Sequence, residues 1–320
     1  MSSYRKVNYS LRPAKHAQRR MVSELLGCLY PFKAVRDYQY VGFGSLWFED
    51  FRLFHKLLGF KKMISIERSE AHDRFVANKP FKAIDLLFGD SGTKLPEVDW
   101  SLESIVWLDF DSALSTEIVR DVQLVATRCR SGSCLSVTLK VDEAVELLEA
   151  QKAHEDIDLA VAKFTSRYQD YYGSKVFSDD LMGTPFRKVC ENIVDAAIEQ
   201  KVALRNSGKE DNEKLEFRRI CRFSYSDATP MITILYVFFA RSDENKFLKC
   251  SFETVDFLPA LDDEIKIQMP VMTLKEIRAI EEQLPAEDIF ELDMGYVPPS
   301  DVKKFVSIYR YLPNFSVLET

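Results

Sequence analysis

The stretch "YQYVGFGSLWFEDFRLFHKLLGFKKMISIE", residues 38–67, decides how the chain is read. Its start, rich in aromatic and β-branched residues, predicts a short strand that ends at Gly42 and Gly44. Trp47, Phe51, Phe54 and Leu58 then recur every three or four residues, the period of a helix, with Ser45 placed to cap its start and Gly59 to stop it in the left-handed conformation. "KKMISIE" is a second strand, closing on Glu67. A strand, glycine turn, helix and strand in this order are where doubly wound sheets hold nucleotides, because the turn lets a ligand approach the backbone. Glu67 follows the glycines by about 20 residues, where a carboxylate accepts bonds from both hydroxyls of a ribose. A dinucleotide fingerprint asks for a third glycine near position 47, and Trp47 stands there. That disfavours NAD or FAD and suits a cofactor without a pyrophosphate, such as S-adenosylmethionine. Trp47, Phe48, Phe51 and Phe54 have the spacing of core residues.

Working outward, "AKHAQRRMVSELLGCLY" is an amphipathic helix ahead of the first strand, with its basic residues expected on the surface. "FKAIDLLFGD", "SIVWLDFD" and "SCLSVTLKV" supply three more strands, separated by helices or long crossovers, which predicts a parallel α/β sheet covered on both faces. Asp90 falls at the end of the third strand and Asp109 and Asp111 at the end of the fourth. With Glu67, acidic residues therefore mark the carboxyl ends where open α/β sheets bind ligands. Residues 143–214 are helical and polar, an inserted cap or a long crossover. Two strand-like runs within 215–262 form an antiparallel hairpin, and 263–320 is a helical extension that includes a helix capped by Thr273. Residues 1–142 make the first helix and the cofactor-binding half of the sheet.

The 320 residues are 46% hydrophobic and 29% charged, ordinary for a folded globular chain. No apolar run reaches the roughly 20 residues of a membrane span, and the N-terminus lacks the apolar core of a signal peptide, so a cytoplasmic protein is expected. Six scattered cysteines without a CxxC pair point to reduced thiols, and the four histidines show no metal-ligand spacing. A net charge of −7 argues against nucleic-acid binding over the whole surface. Arg5, Lys6, Arg12, Lys15, Arg19 and Arg20 nevertheless all precede the first acid, Glu24. They form either a local anion-binding surface or a solvated helix face.

"YVGFGS", "SIE", "FGDSG" and "IVWLDFDS" resemble, in order and separation, the first four motifs of the class I S-adenosylmethionine-dependent methyltransferases. "SLRPAKHAQRRM", the opening stretch and the terminal "YRYLPNF" are similar to bacterial proteins named as putative O-methyltransferases, some associated with antiviral defence loci. The resemblance implies a Rossmann-like fold, a mostly parallel sheet ending in an antiparallel hairpin, with a helical insertion and a C-terminal extension. It implies S-adenosylmethionine as cofactor, with Gly42, Gly44 and Ser45 beside its methionine part, Glu67 on the ribose and Asp90 on the adenine amine. Asp109, with Asp111, faces the methyl group or acceptor as a base, as ligand to a divalent metal, or as a loop-orienting group. An acceptor that is a nucleotide or nucleic acid would meet Arg12, Lys15, Arg19 and Arg20 through its phosphates; a small-molecule hydroxyl or amine is the other expectation. One position departs from the pattern: the acidic residue usual at the start of the first motif is Tyr40, which bears directly on cofactor affinity. A non-catalytic module of the same shape, binding a nucleotide or a protein partner in a defence assembly, is the alternative reading.

Overall fold

The computed structural model describes residues 12–313. Among them eight strands form one sheet: β1 (Gln39–Gly42), β2 (Lys62–Glu67), β3 (Ile84–Phe88), β4 (Ser104–Asp109), β5 (Cys134–Lys140), β6 (Leu215–Ser226), β7 (Pro230–Ala240) and β8 (Asp263–Ile267). Their order is β3-β2-β1-β4-β5-β7-β6-β8, and every pairing is parallel except those of β7. The expected mostly parallel sheet with a terminal hairpin is thus present, and the order reverses at β1, between β2 and β4. The segment expected to be a purely helical extension differs, since 263–320 opens with β8, paired to β6. Its alternation of Ile265 and Ile267 with polar neighbours is a strand pattern too short to stand out in sequence.

Helices cover both faces, with the short α4 (Ser91–Lys94) following β3 and α9 (Glu244–Leu248) following β7. On one lie α1 (Pro13–Gly27), α2 (Glu49–Leu58), α3 (His72–Asn78), and the C-terminal α10 (Leu274–Glu281) and α11 (Pro299–Ile308). On the other, α5 (Thr116–Arg128) packs against the long α8 (Gly183–Asn206), with α6 (Val145–Ala153) and α7 (Ile157–Tyr168) alongside. The period of two decides the faces: Ile105 and Trp107 of β4 enter the first core, Val106 and Leu108 the second. Phe54 of α2 stacks on Trp107 at 5.7 Å, and burying one such ring contributes about 1.5–3 kcal/mol. Within 143–214, α8 is the crossover that leads from β5 to β6, so α6 and α7 are the added part. α8 is bound to the sheet edge by ions: Arg187 takes Glu264 of β8 bidentately at 2.6 and 3.1 Å, and Arg222 of β6 reaches Glu191 at 3.1 Å.

Local signals account for several helix ends. Gly59 closes α2 at φ 73°, and Thr273 with Glu276 forms a reciprocal capping box on α10. The start of α2 departs from expectation. Ser45 is not its cap; Ser45 (φ 51°) and Phe48 (φ 49°) both adopt the left-handed conformation, and the helix begins only at Glu49. These two turns swing Trp47 outward to 40% exposure while Phe48 goes fully inside, so Trp47 leaves the expected core set.

All six cysteines are free thiols, and no helix among the described residues is long and apolar enough to cross a membrane.

Candidate cofactor and acceptor site

Parallel strands β1, β2, β3 and β4 run in register, which brings Gly42–Gly44, Glu67, Asp90 and Asp109 to one edge of the sheet. At the carboxyl ends of β1 and β2, the Gly44 amide donates to Ser65 Oγ and to Glu67 Oε1, each at 2.9 Å, and the Ser65 hydroxyl also donates to Glu67. Burial dominates the Glu67 carboxyl and pushes it up to about 7, although bonds from Ser65 and Gly44 favour its ionised form. One strand further out, Asp90 is exposed and pairs with Arg68 at 2.7 Å.

The glycines have a reason internal to the fold. A Cβ on Gly44 would lie 2.6 Å from both the Phe48 ring and Ser65 Oγ, and one on Gly42 would lie 2.9 Å from the Tyr40 hydroxyl. Both positions have ordinary φ, so space rather than backbone conformation demands glycine here. Gly44→Ala should therefore cost about 2 kcal/mol by overpacking, whether or not a ligand is present. A thermal melt of the unliganded variant checks this; an unchanged midpoint would mean that Phe48 and Ser65 yield.

Tyr40, in place of the usual acid, donates its hydroxyl to Asp50 of α2, and both side chains are buried. The ring packs edge-on against Phe51 and Phe54. A carboxylate is thus present beside the glycine turn, delivered from the helix instead of the strand. Burial raises the Asp50 carboxyl, against the nearby charge of Arg19 and the Tyr40 bond. Sequence reading missed Asp50; its signal was a carboxylate four residues before Phe54, on the apolar stripe of an otherwise amphipathic helix.

Asp109 shares the face of Ile105 and Trp107, the face that α1 covers, and there Lys15 meets it. Lys15 Nζ donates to Asp109 Oδ1 at 2.7 Å and to the Tyr225 hydroxyl at 2.9 Å, and it sits 4.8 Å from the centre of the Trp107 ring. Burial alone would raise Asp109, but the Lys15 and Arg19 charges outweigh it and hold the carboxyl below its usual range. Beside this pair, Trp107 Nε1 bonds Thr138, which bonds Thr233 at 2.8 Å, a polar line across β4, β5 and β7. Asp227, in the turn after β6, accepts the first amides of α1, Ala14 and Lys15, at 3.1 Å each, and so seats the helix on the edge. Asp111 lies past the strand end and is exposed.

The basic N-terminus is therefore corrected in part. Lys15 is 3% exposed and Arg19 5%, so neither lies on a phosphate-contacting surface; both turn into the site because α1 is enclosed by the sheet edge and neighbouring elements. Arg12 and Arg20 are half-buried, and Arg5 and Lys6 lie outside the described residues. Among the described residues no cluster of three or more acidic, histidine or cysteine side chains has metal-binding geometry. A surface groove of about 630 Å³ lies at the opposite edge near Asp211, Glu216 and Arg241, away from all of these groups.

The sheet order with one reversed strand, β7, between β5 and β6, and the acids aligned at its carboxyl edge, define a class I methyltransferase fold. The family described as "Putative O-methyltransferase" matches residues 7–320, and the chain belongs to that family. A search of curated proteins found no match. Among solved structures, Trm1 from Pyrococcus horikoshii with S-adenosyl-L-methionine is similar at 14% identity, over 72% of this chain and 57% of that one, with a TM-score of 0.44. Human N-acetylserotonin methyltransferase with SAM is similar at 12% identity, over 69% and 51%, with a TM-score of 0.35. An arsenic(III) S-adenosylmethionine methyltransferase from Chlamydomonas reinhardtii is similar at 10% identity, over 63% and 64%, with a TM-score of 0.36. The chain spans about half the length of the first structures it matches, 53% and 51%.

Proposed function

We propose that this chain transfers a methyl group from S-adenosylmethionine to an acceptor oxygen. Family membership supports the reaction class, and the observation that carries the cofactor is the Gly44–Ser65–Glu67 cluster at the ends of β1 and β2. In this reading Glu67 accepts the ribose hydroxyls, Asp90 the adenine amine, and the Gly42–Gly44 turn borders the methionyl end. The bound cofactor supplies an electrophilic methyl carbon; the chain's task is to align an acceptor with it and accommodate a proton.

The acceptor lies toward the end of β4. Asp109, held ionised by Lys15, is a weak base and acts by position, fixing the Lys15 ammonium where it favours an acceptor oxygen that carries negative charge. Asp111 is the carboxylate open to solvent and acceptor.

A second reading, a non-catalytic module that binds a nucleotide or protein partner, is favoured by the same commitment of Asp109 to Lys15. Calorimetry with S-adenosylmethionine and S-adenosylhomocysteine decides between them, together with turnover of methyl-labelled cofactor over candidate hydroxyl acceptors. Micromolar binding with label transfer is expected. Absence of binding at high micromolar concentration would sink the enzyme reading, and binding without any transfer would favour the module.

A further inference from the structure

Arg19, on the second turn of α1, is buried, and its Nε is enclosed without a hydrogen-bond partner. A guanidinium stays charged at any pH a protein experiences, so it cannot lower the cost of burial by losing its proton. The two acids within reach of its field direct their carboxylates elsewhere, Asp109 to Lys15 and Asp50 to Tyr40. Its neighbour Gln18 is fully buried with neither amide atom satisfied. Buried polar groups left without partners in this way call for an explanation, and recognition of a charged ligand group is a leading one. Arg19 lies one helical turn beyond Lys15, which meets Asp109 at the end of β4, and the Tyr40 hydroxyl that bonds Asp50 would lie 2.9 Å from a Cβ on Gly42, so these groups border the glycine turn at the carboxyl edge. The guanidinium fork matches a carboxylate bidentately, and the two acids nearby offset an adjoining ammonium.

We infer that Arg19 binds the α-carboxylate at the methionyl end of the cofactor, an assignment that rests on the proposed methyltransferase reading. Arg19 is then kept at a cost to the unliganded fold, since an incompletely compensated buried charge destabilises it. The carboxylate of an acceptor would have the same chemistry, and the ligands below separate the two sources.

Calorimetry is run on the full chain and on Arg19→Gln and Arg19→Lys with two ligands. One is S-adenosylhomocysteine; the other is 5′-methylthioadenosine, which keeps the adenosyl thioether but lacks the amino-acid tail. Arg19→Gln should weaken S-adenosylhomocysteine about tenfold or more and leave 5′-methylthioadenosine unchanged, with Arg19→Lys between. Unliganded Arg19→Gln should melt no lower than the native chain. Equal affinity of Arg19→Gln for S-adenosylhomocysteine overturns the inference and returns Arg19 to an acceptor. Equal losses for both ligands, or a lower melting point, overturn it in favour of a structural role. Should Arg19→Gln fail to fold, Arg19→Lys carries the same contrast. If the native chain binds neither ligand, the methyltransferase reading fails first and this assignment with it.

Discussion

Asp109→Ala lowers stability by about 3 kcal/mol, the lower end of what breaking a buried ion pair costs, because the Asp109 side chain keeps 23% exposure. The loss comes from what remains. The Lys15 ammonium stays enclosed between Trp107 and Tyr225 with one neutral hydroxyl as its partner. Lys15→Met should cost less, about 1 kcal/mol, since Asp109 can turn toward water while the methionine retains contact with the Trp107 ring. The double variant Lys15→Met/Asp109→Leu should recover most of the larger loss, as paired replacement of buried ions by apolar groups commonly does. Urea unfolding of the native chain, Lys15→Met, Asp109→Leu and that double variant closes a cycle and gives the coupling energy. Additive single effects would show that the two groups stabilise the fold independently and remove the pair from the account.

If Glu67 takes the ribose hydroxyls as proposed, affinity for S-adenosylhomocysteine should rise about 30-fold from pH 5.5 to pH 8, because that role needs its ionised form and burial pushes the carboxyl up to about 7. The sign for stability is opposite. A carboxyl raised in the folded state contributes stability that is fully present below its unfolded value of 4.5 and is lost as pH rises through about 7. Ligand-free chain should thus weaken over the range in which ligand binds more tightly. Asp121, raised to about 6 by burial beside Ser91, adds to the loss of ligand-free stability with rising pH. Glu67→Gln isolates the effect: its calorimetric affinity should be lower at pH 8 and nearly flat with pH. A native profile that is itself flat would mean that Glu67 does not hold the ribose.

These two carboxylates mark the boundary of what was legible in sequence. Glu67 could be placed because a strand, a glycine turn and a fixed spacing are local, and the apolar runs of β4 and β5 are as local. Gly59 and Thr273 were readable for the same reason. The partner of Asp109 was not, because Lys15 lies 94 residues away on a helix whose charged positions suggested solvent. Nor was the partner of Tyr40. Asp50 is ten residues on, yet the meeting depends on how α2 leaves the turn. Two left-handed residues there turn Trp47 outward while Phe48 stays inside as expected, and helical periodicity does not report a break just before the helix begins. The glycine turn was located correctly, although the space each glycine saves is filled by the protein's own Phe48, Ser65 and Tyr40.

The seat of α1 has a consequence for biosynthesis. Lys15 leaves the ribosome long before Tyr225 and Asp227, from which it is separated by 210 and 212 residues, and Glu24 waits still longer for Tyr311. Until those residues emerge, the helix lacks the carboxylate that takes its first amides, and part of its apolar face stays uncovered. The first-made helix is thus among the last to dock, a high-contact-order step that leaves the nascent chain dependent on shielding from aggregation.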